Sequence, residues 1–276
     1  MKKNWTTVLL VIIFFLGLSM VLYPSFANYW NTKLNTGAIQ DYAESLKNVS
    51  EEDYHELFDE AVAYNEELAA LPYQSMRSDE MMERYEKTLS VDGKTTMGYI
   101  EIPKLGLSLA VSHGTSNEVL ESGVGHLDWS SLPIGGPSTH CVLSGHRGLP
   151  SAKLFTNLDQ MVVGDTFLLY ILNEVLTYEV DQILIVKPEE TDSLQIEPGK
   201  DYCTLVTCTP YAINTHRLLV RGHRVETVKK GAAVVADAIL IDRMLVSMFL
   251  AIPCLTFLFL YTMLKPQKKQ KKISPQ

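Results

Sequence analysis

Thr204-Leu-Val-Thr-Cys-Thr-Pro-Tyr211 is a run of β-branched and apolar residues that carries a thiol, Cys208, to the end of a strand and stops at Pro210. Arg217 follows nine residues after the thiol, and Ser144-Gly-His-Arg-Gly148 lies far upstream. A cysteine attacks as the thiolate, and a cationic His or Arg beside it favours that form. Cys208, His146 and Arg217 are therefore candidates for one site of nucleophilic chemistry.

Outward from this strand the pattern is that of short β runs. Gly98-Tyr-Ile-Glu-Ile102, Leu107-Ser-Leu-Ala-Val111, His140-Cys-Val-Leu-Ser144, Thr166-Phe-Leu-Leu-Tyr170, Thr177 to Val180 with Ile183 to Val186, Tyr202 to Thr207 and Arg217 to Val225 read as strands. Gly135-Gly-Pro137, Val163-Gly-Asp165 and Glu197-Pro-Gly199 separate them as turns. Many short strands with such punctuation imply an all-β barrel or sandwich of roughly 130 residues. Residues 34–90 differ: they are rich in Glu, Ala, Leu and Tyr. Ser50-Glu-Glu-Asp53 has the form of a capped helix start, and Leu57, Ala61, Tyr64 and Leu68 fall on one helical face until Leu71-Pro-Tyr73.

The ends are apolar and basic. No charge occurs between Lys3 and Lys33, and Val8 to Tyr23 is almost continuously apolar. A second uncharged run, Met244 to Leu264, is bounded by Arg243 and Lys265. Each approaches the ~20 residues of helix that cross a bilayer. Lys2 and Lys3 flank the first, and Lys265, Lys268, Lys269, Lys271 and Lys272 follow the second, a distribution that leaves both termini in the cytoplasm and the domain between them outside. Lys2-Lys3, the apolar stretch and Ser25-Phe-Ala27 also fit a cleavable signal peptide, although the stretch exceeds the usual length of such a region. The expected organisation is a membrane segment or signal anchor (1–30), a helical extension with a possible lid (31–96), a β-barrel catalytic domain (97–228), a linker (229–243), a transmembrane helix (244–264) and a basic cytoplasmic tail (265–276).

The chain carries 32 acidic against 24 basic residues, with no acid in either lysine tail. An acidic external domain argues against nucleic acid as a partner and suits a lysine-bearing one. Four cysteines make no disulfide framework. Cys254 lies in the second apolar run, and on one strand Cys203 and Cys208 stand ~16 Å apart on opposite faces, beyond the ~7 Å that a bridge spans. Cys141 is left as a possible partner for either, but free thiols are the expectation. His126, His140, Cys141 and His146 match no zinc spacing, and Glu189-Glu-Thr-Asp192 lacks a calcium-binding ligand ladder, so neither metal nor cofactor is expected.

The stretch from Thr204 to Arg224, with Thr-Leu-Val-Thr-Cys followed by Arg217, and Ser144-Gly-His-Arg-Gly-Leu-Pro150 before it, resembles the sortases and in particular their class C, pilin-polymerising branch. The resemblance implies an all-β fold, an eight-stranded sortase β-barrel, with the N-terminal helical extension and the two flanking transmembrane helices. It assigns Cys208 as nucleophile, His146 as general acid and base, and Arg217 as the residue that steadies the oxyanion. It implies a membrane-anchored cysteine transpeptidase with its catalytic domain outside the cell. Such an enzyme cuts an LPxTG-like sorting signal between Thr and Gly through a thioacyl-enzyme and joins it to an acceptor pilin lysine. Anchoring of surface proteins to cell-wall peptide is the alternative within the enzyme class, and a non-enzymatic pilus scaffold the alternative outside it. The chain departs from class C enzymes in one respect: no Asp-Pro-aromatic lid motif occurs, and Leu71 to Met82 stands in that place, with Asp79 and Met81 as possible lid anchors.

Overall fold

The computed structural model describes residues 2–227 and, beyond them, 252, 253, 255–257, 260 and 261. Apart from those last residues, which are helical, the expected linker, second membrane helix and basic tail lie outside the described residues.

Eight strands, β1 (Thr96–Ile102), β2 (Leu107–His113), β3 (Val124–His126), β4 (Thr139–Ser144), β5 (Thr166–Ile171), β6 (Glu174–Val186), β7 (Asp201–Thr209) and β8 (His216–Val225), form the body of the fold. They close into a barrel in the order β1-β2-β3-β4-β7-β8-β6-β5, as the resemblance implies. Two neighbouring pairs, β2 with β3 and β4 with β7, run parallel, and the rest are antiparallel. β7 is buried along nearly its whole length because both of its faces are covered. Cys203 and Leu205 point into the barrel core, whereas Val206 joins Val142, Leu194 and Leu219 in a second apolar cluster with Trp129, Leu184 and Val186. This double burial explains why Thr204 to Thr209 reads as a continuous β-branched run rather than an alternating one.

Two expectations change. The runs Thr177–Val180 and Ile183–Val186 are one strand, β6, interrupted between Val180 and Gln182 by a register shift against β8. The expected division between a 1–30 segment and a 31–96 extension is crossed by a single helix, α1 (Lys2–Leu46). Phe26–Val228 forms one compact unit, and residues up to Ser25 belong to another. Among the described residues one helix, Leu9–Leu46, is long and apolar enough to cross a membrane.

Within the larger unit, helices α1, α2 (Glu51–Ala70) and α3 (Asp79–Tyr85) supply buried side chains to the barrel core, including Tyr42, Tyr64, Leu68, Met81 and Tyr85. The Tyr42 hydroxyl donates to the Met97 carbonyl at 2.9 Å and accepts from the Leu172 amide at 2.8 Å, joining α1 to β1 and to the end of its neighbour β5. Ser50 caps α2 by accepting from the Asp53 amide at 3.1 Å, the helix start expected from the sequence. On the buried face of α2, Asn65 accepts from the Leu132 amide at 2.7 Å and donates to the Leu132 carbonyl at 3.1 Å. Asn65→Ala leaves the buried Leu132 amide without a partner and its carbonyl with only the Ile134 amide at 2.8 Å, so chemical denaturation of the variant is expected to show a loss of about 1–3 kcal/mol.

Candidate active site

The site is assembled by strand register. In the parallel β4–β7 pair Ser144 stands opposite Val206, and the ladder continues one step further, the Gly145 amide donating to the Val206 carbonyl at 3.0 Å. The Thr207 hydroxyl then donates to the Gly145 carbonyl at 2.7 Å. Two residues beyond each member of the Ser144–Val206 pair lie His146 and Cys208. In the antiparallel β7–β8 pair Cys208 stands directly opposite Arg217. Cys208 and Arg217 are thus a register pair, and His146 lies in the loop that leaves β4 two residues after its last paired position.

Each is partly accessible. Cys208 and His146 are half-buried, whereas Cys203 is fully enclosed in the core and Cys141, its partner in register, is 2% exposed. All three described cysteines are free. Cys203 and Cys208 lie five residues apart on one strand and so face opposite sides of the sheet, with Cys208 on the outer face that also carries Val206. Burial pushes the Cys203 thiol well above its usual range. The Arg217 Nη1 donates to the carbonyls of Asn214 at 3.4 Å and His216 at 3.3 Å. Among the described residues no carboxylate pairs with it, so its charge is not neutralised by a neighbour.

The other histidines are occupied or elsewhere. His126, His113 and His140 are buried. His140 donates and accepts between the Gln195 carbonyl and the Thr204 hydroxyl at 2.9 and 2.7 Å, and burial lowers its pKa to about 4. His113 places its ring nitrogens 2.9 and 2.8 Å from the Thr95 and Thr88 carbonyls, and burial lowers its pKa too. His223 faces Tyr202 toward the far end of β7, and His55 is exposed on α2. His216 neighbours Arg217 and shares a 3.0 Å contact with the Thr215 hydroxyl. Among the described residues no group of three or more His, Cys, Asp or Glu side chains is arranged to hold a metal ion.

The stretch from Leu71 to Met82 forms a 3-10 turn, Gln74–Met76, and the beginning of α3. Ser78 caps α3 by accepting from the Met81 amide at 3.2 Å. Met81 is buried in the core and Asp79 is exposed in the first turn. Arg77, its side chain 8% exposed, donates to the Asp128 carbonyl at 2.6 Å and pairs with the Asp128 carboxylate at 3.2 Å. Among the described residues no hydrogen bond or ion pair joins 71–82 to Cys208, His146 or Arg217.

Sequence reasoning attached no role to the residues that directly follow His146 and Cys208 in the chain. Arg147, Thr209 and Asp159 form a linked set, with Arg147 donating to the Thr209 hydroxyl at 3.2 Å and to the Asp159 carboxylate at 2.5 Å. Their separations of 12 and 62 residues along the chain leave no local pattern to read.

A model described as the sortase domain matches residues 100–225. The chain is 31% identical over 131 residues to sortase D of Bacillus subtilis, covering 46% of this chain and 63% of that protein. It is 33% identical over 135 residues to a sortase A of Streptococcus agalactiae, covering 48% and 53%. It thus spans less than two thirds of the length of these curated relatives. Among solved structures, sortase C1 of S. agalactiae is 50% identical with a TM-score of 0.68, and the match covers 69% of this chain and 99% of that one. Sortase C of Streptococcus pneumoniae is 41% identical with a TM-score of 0.63, covering 69% and 97%.

Proposed function

Because the chain belongs to the sortase family, in its class C branch, we propose that it is a cysteine transpeptidase that joins a sorting signal to a lysine of a pilin subunit. The observation that carries this reading is the pairing of Cys208 with Arg217 across β7 and β8, with His146 two residues past the end of the neighbouring β4. The S. pneumoniae relative is described in terms of pilin substrate specificity, which supports a pilin as the acceptor here.

In the first half-reaction the Cys208 thiolate adds to the threonine carbonyl of an LPxTG-like signal. Arg217 faces the oxygen as it gains negative charge, where a fixed donor is worth most. Collapse of the adduct breaks the C–N bond, and His146 gives its proton to the departing glycine amine. In the second, the acceptor lysine amine attacks the thioester, His146 takes up a proton from it, and Cys208 leaves as thiolate.

The apolar part of α1 supports membrane anchoring, and Lys2-Lys3 before it supports a cytoplasmic N-terminus with the barrel outside. The test of function is incubation of the enzyme with an LPxTG peptide and lysine-bearing pilin. An isopeptide-linked product by mass spectrometry is expected, whereas exclusive use of a wall-peptide amine would assign the chain to wall anchoring.

We also propose residues 71–82 as a lid over the site, held by Met81 and by Arg77 on Asp128 but without a bond to Cys208, His146 or Arg217. With so few anchors the closed state is shallow, and Arg77→Ala is expected to change the alkylation rate of Cys208 less than about threefold. Acceleration beyond about tenfold would show a firmly closed site. Substitution rather than removal of the segment tests this, because α2 and α3 contribute Tyr64, Leu68, Met81 and Tyr85 to the core.

A further inference from the structure

We propose that Arg147 is a positioning residue that fixes the separation of His146 and Cys208 by tying the loop after β4 to the end of β7. The inference rests on the transpeptidase reading above. Arg147 immediately follows His146 and Thr209 immediately follows Cys208, so the 3.2 Å hydrogen bond from Arg147 Nη1 to Thr209 Oγ1 links the neighbours of the two reacting groups.

The rest of the loop shows why a link at this point matters. Before His146, Gly145 is fastened to β7 through the Val206 carbonyl at 3.0 Å and the Thr207 hydroxyl at 2.7 Å. The His146 carbonyl accepts from the Phe155 amide at 3.1 Å, and the Phe155 ring leaves no room for a Cβ at Gly145, the nearest ring atom being 2.7 Å away. After His146 the Gly148 amide bonds the Thr156 hydroxyl at 3.1 Å, away from β7. Gly148 has a φ of +76°, and a Cβ there would stand 3.1 Å from the ring of Tyr211 in the β7–β8 turn. Among the described residues, backbone bonds thus hold the loop to β7 on the N-terminal side of His146 only. The Arg147 guanidinium completes the bracket on the other side.

The energetics point the same way. The Arg147 side chain is 8% exposed and its Nε is buried without a partner, while its carboxylate partner Asp159 is 48% exposed. Enclosing a guanidinium with an unpaired N–H is a poor route to stability compared with an apolar side chain of similar volume. A planar fork that reaches Asp159 with one amino group and Thr209 with the other is a good route to geometry. The reacting atoms of a nucleophile and its proton donor must be held to within about an ångström, and misplacement by that amount costs up to about 100-fold.

The test is a double-mutant cycle read in kcat and KM for an LPxTG peptide with lysine acceptor. Thr209→Val keeps the side-chain shape and the Arg147–Asp159 pair while deleting the link, and it is expected to lower kcat about 10- to 100-fold with KM within about twofold. Arg147→Lys, which cannot reproduce the fork, is expected to do the same. The double variant should be no slower than the slower single one, because both changes remove one connection. A wild-type kcat for folded Thr209→Val, or losses that multiply in the double variant, would overturn the positioning role. A drop in melting temperature with unaltered kcat would reduce Arg147 to a structural residue and overturn it equally. Cys208→Ala in the same assay separates the two levels: turnover by that variant would overturn the transpeptidase reading instead.

Discussion

Cys208→Ala is expected to eliminate both cleavage of an LPxTG peptide and its ligation to lysine, with no thioacyl-enzyme detectable by mass spectrometry. The other two described thiols cannot take over. Cys203 is fully buried and Cys141 is 2% exposed, and both lie within the barrel rather than at its rim. The variant should remain folded, because removing one sulfur from a half-buried strand end sacrifices far less packing than deletion of a core side chain. Turnover in purified, folded Cys208→Ala would remove the nucleophile assignment and with it the thioester route.

Arg217→Lys is expected to lower kcat by on the order of 10²–10³, the loss typical of one oxyanion donor, with a smaller effect on KM. The charge survives this substitution, but the fork does not. In the structure one amino group of Arg217 is turned toward the Asn214 and His216 carbonyls, which leaves its remaining donors free for a bound ligand. An ammonium on a flexible stem meets either those carbonyls or the oxyanion. Near-normal turnover of Arg217→Lys would instead mark the residue as a support for the β7–β8 turn.

Much of the barrel was legible because burial left its period in the chain. β1, β2, β4, β5, β7 and β8 were all visible as β runs, and the end of β7 as a run broken at a proline. β3 was not, since Val124-Gly-His126 is too short to establish a period and owes its strand form to pairing with β2 and β4. β6 read as two pieces because the register shift between Val180 and Gln182 interrupts the alternation of faces. α1 was underestimated: apolarity marked only its first part, and its polar continuation is held by contacts distant in sequence, such as Tyr42 to Met97 and Leu172. Cys208, His146 and Arg217 stood out by residue type and motif, and the β7–β8 register pairs the first with the last. The Arg147–Thr209 link had no such signature, since neither residue type nor spacing announces a contact across 62 residues.

The parallel pairing of β4 with β7 also governs when the site comes into being. His146 precedes Cys208 by the whole of β5 and β6, so the two meet only after the chain has laid down a barrel wall between them and folded it back. Pairings of such long range are slow to form, and no local fragment contains them. Before β8 pairs with β7, Cys208 has no Arg217 opposite it. On the proposed reading, a chain that stalls short of its native topology therefore exposes a cysteine without the groups that would make it a catalyst.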